Sequence, residues 1–412
     1  MVSAEPGGLP FPRSFLWGTA TASHQVEGGN ANNDWWDWEQ QAGHIRDGSR
    51  SELACDHYHL YPQDFDLLAS LGQNAHRLSL EWSRIEPTPG NFDREAIRHY
   101  RDVLEYLRSR NLEPVVTLHH FTNPSWLAAS GGWEVPEVVE RFARYVTEAV
   151  DAFGDLVRYW ITLNEPVIYG TMGYATGLWP PGKRSLPLLG TVLHNMLLAH
   201  ARAAQILHDR SPRSDVQVGV AHHVRVFDPY RRILPGDHFV ARLGEAVFNR
   251  AVLLSMLDGR FHFPFGWGDI PGGRQSLDFI GVNYYSREMT TFDFRRPRTG
   301  FGSFFAHPSR PKTAAGWEIY PEGVYRVLKY VAGFNLPIMI TENGVADERD
   351  ELRPAFLVSH LEAIHRAIRE GAPVQGYFHW SSLDNFEWAE GRRLRFGLIH
   401  VDYETLKRTV KP

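Results

Sequence analysis

The chain holds a single cysteine, Cys55, in 412 residues, which excludes any intrachain disulfide framework. It has no apolar run near the roughly 20 residues that span a bilayer, and no polybasic segment that would seat on anionic lipid. Residues 1–12 lack the charged start and apolar core of a secretory signal. Neither sign of charge dominates: 43 Lys and Arg stand against 48 Asp and Glu, a formal net charge of −5. Nucleic-acid binding, which needs a basic face, has no electrostatic footprint here. No nucleic-acid partner and no membrane are expected, and the expected compartment is the cytoplasm. Low-complexity tracts, charge blocks and short repeats are also missing, so the sequence marks no linker between domains.

Aromatic residues, by contrast, make up 13% of the chain and include 13 tryptophans. Flat apolar rings suit the faces of sugars, but aromatics also dominate ordinary cores, so composition alone does not choose. The stronger signal is a rhythm. Short apolar runs at 15–20, 75–80, 114–118, 159–163, 216–221, 279–282, 337–340 and 374–378 each have the length of a strand buried on both faces. Amphipathic stretches at 93–110, 136–153, 191–209 and 353–370 read as helices, with stop or start signals at Gly72, Pro136 and Gly371. Eight buried strands alternating with helices predict a closed α/β barrel, a single (β/α)8 unit over 1–412. An open doubly wound sheet would carry a phosphate loop after its first strand, and Gly28-Gly29 lack that spacing.

Barrel enzymes place their chemistry at the C-terminal ends of the strands. Those ends carry Gln25, then Arg77, then His119-His120, then Asn164-Glu165-Pro166, Asn283-Tyr284-Tyr285, Glu342-Asn343-Gly344, and finally Trp380, Asp384, Glu387 and Trp388. One strand-end glutamate could be a satisfied structural residue, its Pro166 or Gly344 merely ending a strand. Two of them on strands four and seven, across a barrel mouth, can face each other. Two carboxyls about 5–5.5 Å apart can attack a sugar's anomeric carbon and protonate the departing oxygen.

At this point whole motifs resemble glycoside hydrolase family one: FLWGTATASHQVEG at 15–28, TLNEP at 162–166, ITENG at 340–344 and WSSLDNFEW at 380–388. The resemblance runs from about residue 10 to 410 and implies a retaining, exo-acting β-glycosidase. It implies Glu342 as nucleophile, Glu165 as acid/base, and Arg77 and Tyr285 as partners of the nucleophile. Gln25, His120, Asn164, Asn283, Glu387 and Trp388 match the pocket for the terminal sugar, Trp380 its platform, and Trp317 an aromatic wall on the leaving-group side. A guanidinium keeps its charge, so Arg77 is expected to hold Glu342 ionised, and that charge to keep Glu165 protonated. The expected substrates are small β-glycosides or oligosaccharides such as cellobiose, glucosides first, with galactosides and fucosides as side activities. Aglycone and oligomeric state are not specified.

The sequence departs from the family at Phe121, where a tryptophan is usual, and in a short 261–276 segment. It also reaches Lys411-Pro412 before the usual last helix, which is therefore expected to be short or absent. Arg392, Arg393 and Arg395 could in principle hold a sugar phosphate, but a solvated loop face is preferred, and Glu387 would repel phosphate. The histidine pairs at 57/59, 119/120 and 222/223 invite a metal. Adjacent residues of a strand point to opposite faces, however, so no metal and no other cofactor is expected. Nothing near Cys55 marks an activated thiol. Two further readings stand beside hydrolysis: transfer of the glycosyl group to another acceptor, and a non-catalytic sugar-binding barrel, which would be expected to lack one of the glutamates.

Overall fold

A strand that is apolar on both faces must be covered on both. Here closure of the sheet supplies one cover and an outer ring of helices the other. The computed structural model describes residues 10–412. Strands one to eight of the barrel are Leu16–Ala20, Ala75–Ser79, Glu113–His119, Tyr159–Asn164, Gln217–His223, Phe279–Asn283, Ile338–Asn343 and Val374–Trp380. Each runs parallel to the next, and strand eight closes on strand one with Ala20 opposite Trp380. Val116, Trp160, Ile161, Val218, Ile280, Ile340 and Phe378 are all fully buried in these strands. The fold is a (β/α)8 barrel.

The helices form where the sequence offers a cap and an apolar stripe. Arg94–Ser109 begins at Asp93, whose Oδ1 accepts from the N–H groups of Glu95 and Ala96 at 2.8 and 3.2 Å. Its buried residues Ala96, Ile97, Tyr100, Val103, Leu104 and Leu107 recur at helical spacing and cover the barrel wall. Val138–Phe153 and Arg353–Arg369 lie within one or two residues of their expected limits. Leu186–Arg210 starts five residues before the expected 191, because Ser185 caps it and accepts from Leu188 N–H.

Three features lie outside the expected rhythm. Strand five runs two residues past its apolar run and ends in His222 and His223. Beside the barrel, Val226–Pro229, Arg287–Phe292 and Gly302–Phe305 form a small sheet, with Arg287 at its root between Asp228 and Glu318. After strand eight, the described residues contain a single 3-10 turn, Trp388–Glu390, and the hairpin Ile399–Val401 with Arg408–Val410, but no α-helix. That tail is tied down by ion pairs, Arg408 to Asp64 and Lys411 to Asp384, both at 2.8 Å. No described helix is long and apolar enough to cross a membrane.

Candidate active site

The mouth of the barrel collects the strand-end residues around one buried cation. Arg77, on strand two, is fully buried. It donates from Nη1 to Glu342 Oε1 at 2.6 Å, from Nη2 to Asn164 Oδ1 at 2.7 Å and from Nε to Thr117 at 3.1 Å. The second oxygen of Glu342, Oε2, accepts from the Tyr285 hydroxyl at 2.6 Å. Both carboxylate oxygens of Glu342 are therefore held, one by a charged donor.

Glu165 follows strand four in a left-handed backbone conformation, φ 46° and ψ 60°, which a non-glycine residue adopts only when its surroundings impose it. That turn aims the side chain into the mouth. Its Oε1 accepts from Asn283 Nδ2 at 2.7 Å and lies 3.1 Å from His223 Nδ1. Asn283 is itself fixed: Thr341 donates to its carbonyl at 2.7 Å, and its Nδ2 also reaches Asn164 Oδ1 at 3.2 Å. A continuous network thus runs from Glu165 through Asn283, Asn164 and Arg77 to Glu342.

The remaining pocket residues gather on the other side. Gln25 Nε2 donates to Glu387 Oε2 at 3.2 Å, and Trp380 Nε1 reaches the same oxygen at 3.4 Å. The His120 ring lies nearly parallel to those of Trp380 and Trp388, at 5.9 and 6.0 Å. Asn164 Nδ2 lies 3.1 Å from His120 Nε2, which makes Nε2 the acceptor and leaves the proton on Nδ1. His120 Nδ1 and Gln25 Oε1 are buried without a hydrogen-bond partner among the described residues. Buried polar atoms are nearly always paired, so these two mark where a hydroxylated ligand would bond. Trp317 stands 5.3 Å from Tyr285 and 6.1 Å from Phe396 on the outer side. Phe121, smaller than the tryptophan the resemblance implied, is buried between Trp388 and Trp179, at 5.3 and 4.9 Å.

The electrostatics differ from expectation. Burial, reinforced by the charge of Glu165, pushes Glu342 up to about 7 even with Arg77 beside it. Burial also raises Glu165, but the charge of His223 and the hydrogen bonds from His223 and Asn283 outweigh it and hold that carboxyl below its ordinary range. The inversion requires a cationic His223. Burial depresses His223, and Arg225 Nε donates to its Nε2 at 3.0 Å, so the ring is neutral near pH 7. With a neutral ring, Glu342 has a guanidinium at 2.6 Å while Glu165 has only uncharged N–H donors, and a proton shared by the pair rests on Glu165. Glu387 has no cation among its hydrogen-bond partners, and burial pushes it up to about 8.

The residues nominated from the sequence come together here. His119 does not join them: its Nε2 turns away to Asn123 and Trp133. Arg392, Arg393 and Arg395 are engaged elsewhere, by the Arg50 carbonyl, Glu390 and Asp384. His223 was not nominated for this site. Its sequence signals were the pair His222-His223, weighed only as a metal site, and its place just past the apolar run 216–221.

Comparison with known proteins agrees with this geometry. The model of the family described as glycosyl hydrolase family 1 matches residues 9–262 and 268–412. A 1,4-beta-D-glucan glucohydrolase of Thermotoga neapolitana is 34% identical over 97% of this chain and 96% of its own length. Among solved structures, a beta-glycosidase from Pyrococcus horikoshii superposes with a TM-score of 0.92 at 39% identity, covering 98% of this chain and 92% of that one. A beta-glucosidase from Thermotoga maritima in complex with glucoimidazole gives a TM-score of 0.93 at 35% identity, covering 98% and 97%. With the motif glutamates on strands four and seven of a closed barrel, and a match along nearly its whole length, the chain belongs to glycosyl hydrolase family 1.

Proposed function

We propose that the protein is a retaining, exo-acting β-glycosidase that removes terminal β-D-glucosyl residues from small glycosides such as cellobiose, residues 10–412 working as one catalytic unit. The observation that carries the reading is the unequal treatment of the two glutamates. Glu342 has a charged or hydroxyl donor on each oxygen, which stabilises an anion. Glu165 has both its donors on Oε1, which leaves Oε2 to carry a proton.

In the first half-reaction, Glu342 attacks the anomeric carbon and forms an ester, while Glu165 gives its proton to the departing oxygen. Esterification removes the negative charge of Glu342, so Glu165, having given up its proton, is no longer repelled, stays an anion and can serve as the base that takes a proton from the attacking water. Water then attacks the same carbon, Glu342 leaves as carboxylate, and the sugar retains its β configuration. Gln25, His120, Asn164, Asn283 and Glu387 bind the sugar hydroxyls, Trp380 and Trp388 its faces, and Trp317 the leaving group. Two relatives bear glucan-hydrolase and glucosidase names, which supports glucosides first. Galactosides and fucosides are expected as slower substrates. A single buried free thiol, Cys55, suits the reducing cytoplasm.

The test is hydrolysis of aryl β-glycosides followed by NMR of the first-formed anomer. β-Glucose appearing first supports the reading. α-Glucose first, or full activity in a folded Glu342→Ala variant, refutes it.

A further inference from the structure

His223 lies outside every motif that brought the other residues to notice, yet it touches Glu165. Strand five delivers it: His223 pairs with Asn283 across the barrel wall, so both reach the same carboxyl from adjacent strands. Its neighbour His222 points to the opposite face and lies 3.1 Å from the carbonyl of Asn249 through Nε2. Behind His223 stands Arg225, whose Nε is 3.0 Å from Nε2 and whose Nη1 is 3.1 Å from Glu288 Oε1. The Arg225 guanidinium also lies over the Phe248 ring at 4.9 Å, and Phe248 meets His223 edge-on at 5.5 Å. The imidazole is thus fixed on three sides.

Chemistry then sets its tautomer. A guanidinium N–H can only donate, so Nε2 must accept, and the single proton of the neutral ring sits on Nδ1. That proton points at Glu165 Oε1, where Asn283 already donates. Two donors on one carboxyl oxygen direct an acidic proton to the other oxygen. We propose that His223, locked as the Nδ1–H tautomer by Arg225, is a positioning residue that keeps the proton of Glu165 on Oε2, facing the departing oxygen.

This inference rests on the proposed acid/base role of Glu165 and adds a control to it. Arg225 has a second effect. It blocks the nitrogen that would have to be protonated for His223 to become a cation, and a cation there would hold Glu165 as an anion unable to act as acid. The titratable groups around the pair are His222, on the opposite face of the strand and held neutral by burial that pushes it down to about 4, and Glu342, Tyr285 and Glu387 across the pocket. Tyr285 stays protonated, and Glu342 and Glu387 oppose ionisation of Glu165. Glu288, paired with Arg225, keeps that guanidinium turned away from Glu165.

The experiment compares pH profiles of kcat/KM for 2,4-dinitrophenyl β-glucoside, whose leaving group needs little protonation, and methyl β-glucoside, whose leaving group needs it fully. In Arg225→Met, His223 gains access to its second proton. The alkaline limb should move to lower pH by about one unit, with methyl glucoside losing roughly 10- to 100-fold and the dinitrophenyl substrate far less. In His223→Ala, a donor to the Glu165 anion is lost, so the alkaline limb should move the other way, to higher pH, with the same leaving-group selectivity. His223→Asn keeps an N–H near the Nδ1 position but cannot become a cation. It should recover most methyl glucoside activity and make a further Arg225→Met change silent in the pH profile. Limbs that stay in place, shifts of the same sign in both single variants, or equal losses on both substrates would overturn the proposal. If His223→Ala does not fold, the Asn variant alone and combined with Arg225→Met decides. A wild-type enzyme inactive on both substrates would instead sink the glycosidase reading on which this one stands.

Discussion

Glu387 is a carboxyl with no cation among its hydrogen-bond partners, and replacing it with glutamine separates its stability cost from its use. It is half-buried, its hydrogen-bond donors among the described residues are Gln25 and Trp380, and the desolvation of its surroundings pushes it up to about 8 from an ordinary 4.5. Between those two pH values the folded protein holds a proton at this site that the unfolded chain has released. Stability must then fall as pH rises, by about 1.4 kcal/mol per pH unit. By pH 7 the cost is about 3 kcal/mol, and above pH 8 it levels off near 5 kcal/mol. Both donors aim at Oε2, so in Glu387→Gln the amide oxygen can take that place and the amide nitrogen face the pocket. Urea unfolding of the two proteins at a series of pH values should give equal stabilities near pH 4.5. The variant should then become progressively the more stable through pH 8. Above pH 8, where the carboxyl is ionised, its kcat/KM for aryl glucosides should fall by roughly 10- to 100-fold for each charge-assisted bond to a sugar hydroxyl that is lost. A stability difference that is constant with pH, or that favours the wild type at pH 8, would refute the argument.

Two further changes test the frame of the site. A Cβ at Gly344 would lie 1.8 Å from the Trp380 carbonyl oxygen, so Gly344→Ala should displace the start of the loop bearing Glu387 and cost at least about 1–3 kcal/mol, read by urea unfolding together with KM. Wild-type values for both would refute it. Arg77→Lys keeps the charge but cannot span Glu342, Asn164 and Thr117 at once, so kcat should drop by about 100-fold or more with the fold intact by circular dichroism. Near-wild-type turnover would show that charge alone suffices.

The parts of this molecule that the sequence discloses are those whose physics is local. Most barrel strands carry a short apolar core run, and helices such as Arg94–Ser109 carry their own cap and stripe, so alternation reveals the barrel. Glu165 and Glu342 stand out because a carboxyl two residues past a largely apolar run demands an explanation. The small sheet offers no such contrast: Val226–Pro229 and Gly302–Phe305 are four residues each and only partly buried. His223 was hidden for a different reason. A histidine looks polar in a sequence, but buried against Arg225 it is a neutral ring that continues the strand. Trp179 comes from an irregular segment, and only the fold brings it against Phe121, Trp35 and Trp388. The ionisation of the glutamate pair was equally illegible, since it turns on a nitrogen of His223 that no motif names.

The ion pair between Lys411 and Asp384 carries a practical consequence for handling the protein. Asp384 is fully buried, three residues before Glu387, and also binds Arg395 and the N–H of Gly397. Lys411 is therefore mechanically part of the support for the glycone pocket, although it lies at the far end of the sequence from most of it. A truncation or substitution that removes Lys411 would strip one counter-charge from a buried carboxylate under the pocket floor, leaving Arg395 to hold it. Activity lost in such a variant would then report on the support of the pocket, with the catalytic residues themselves unaltered.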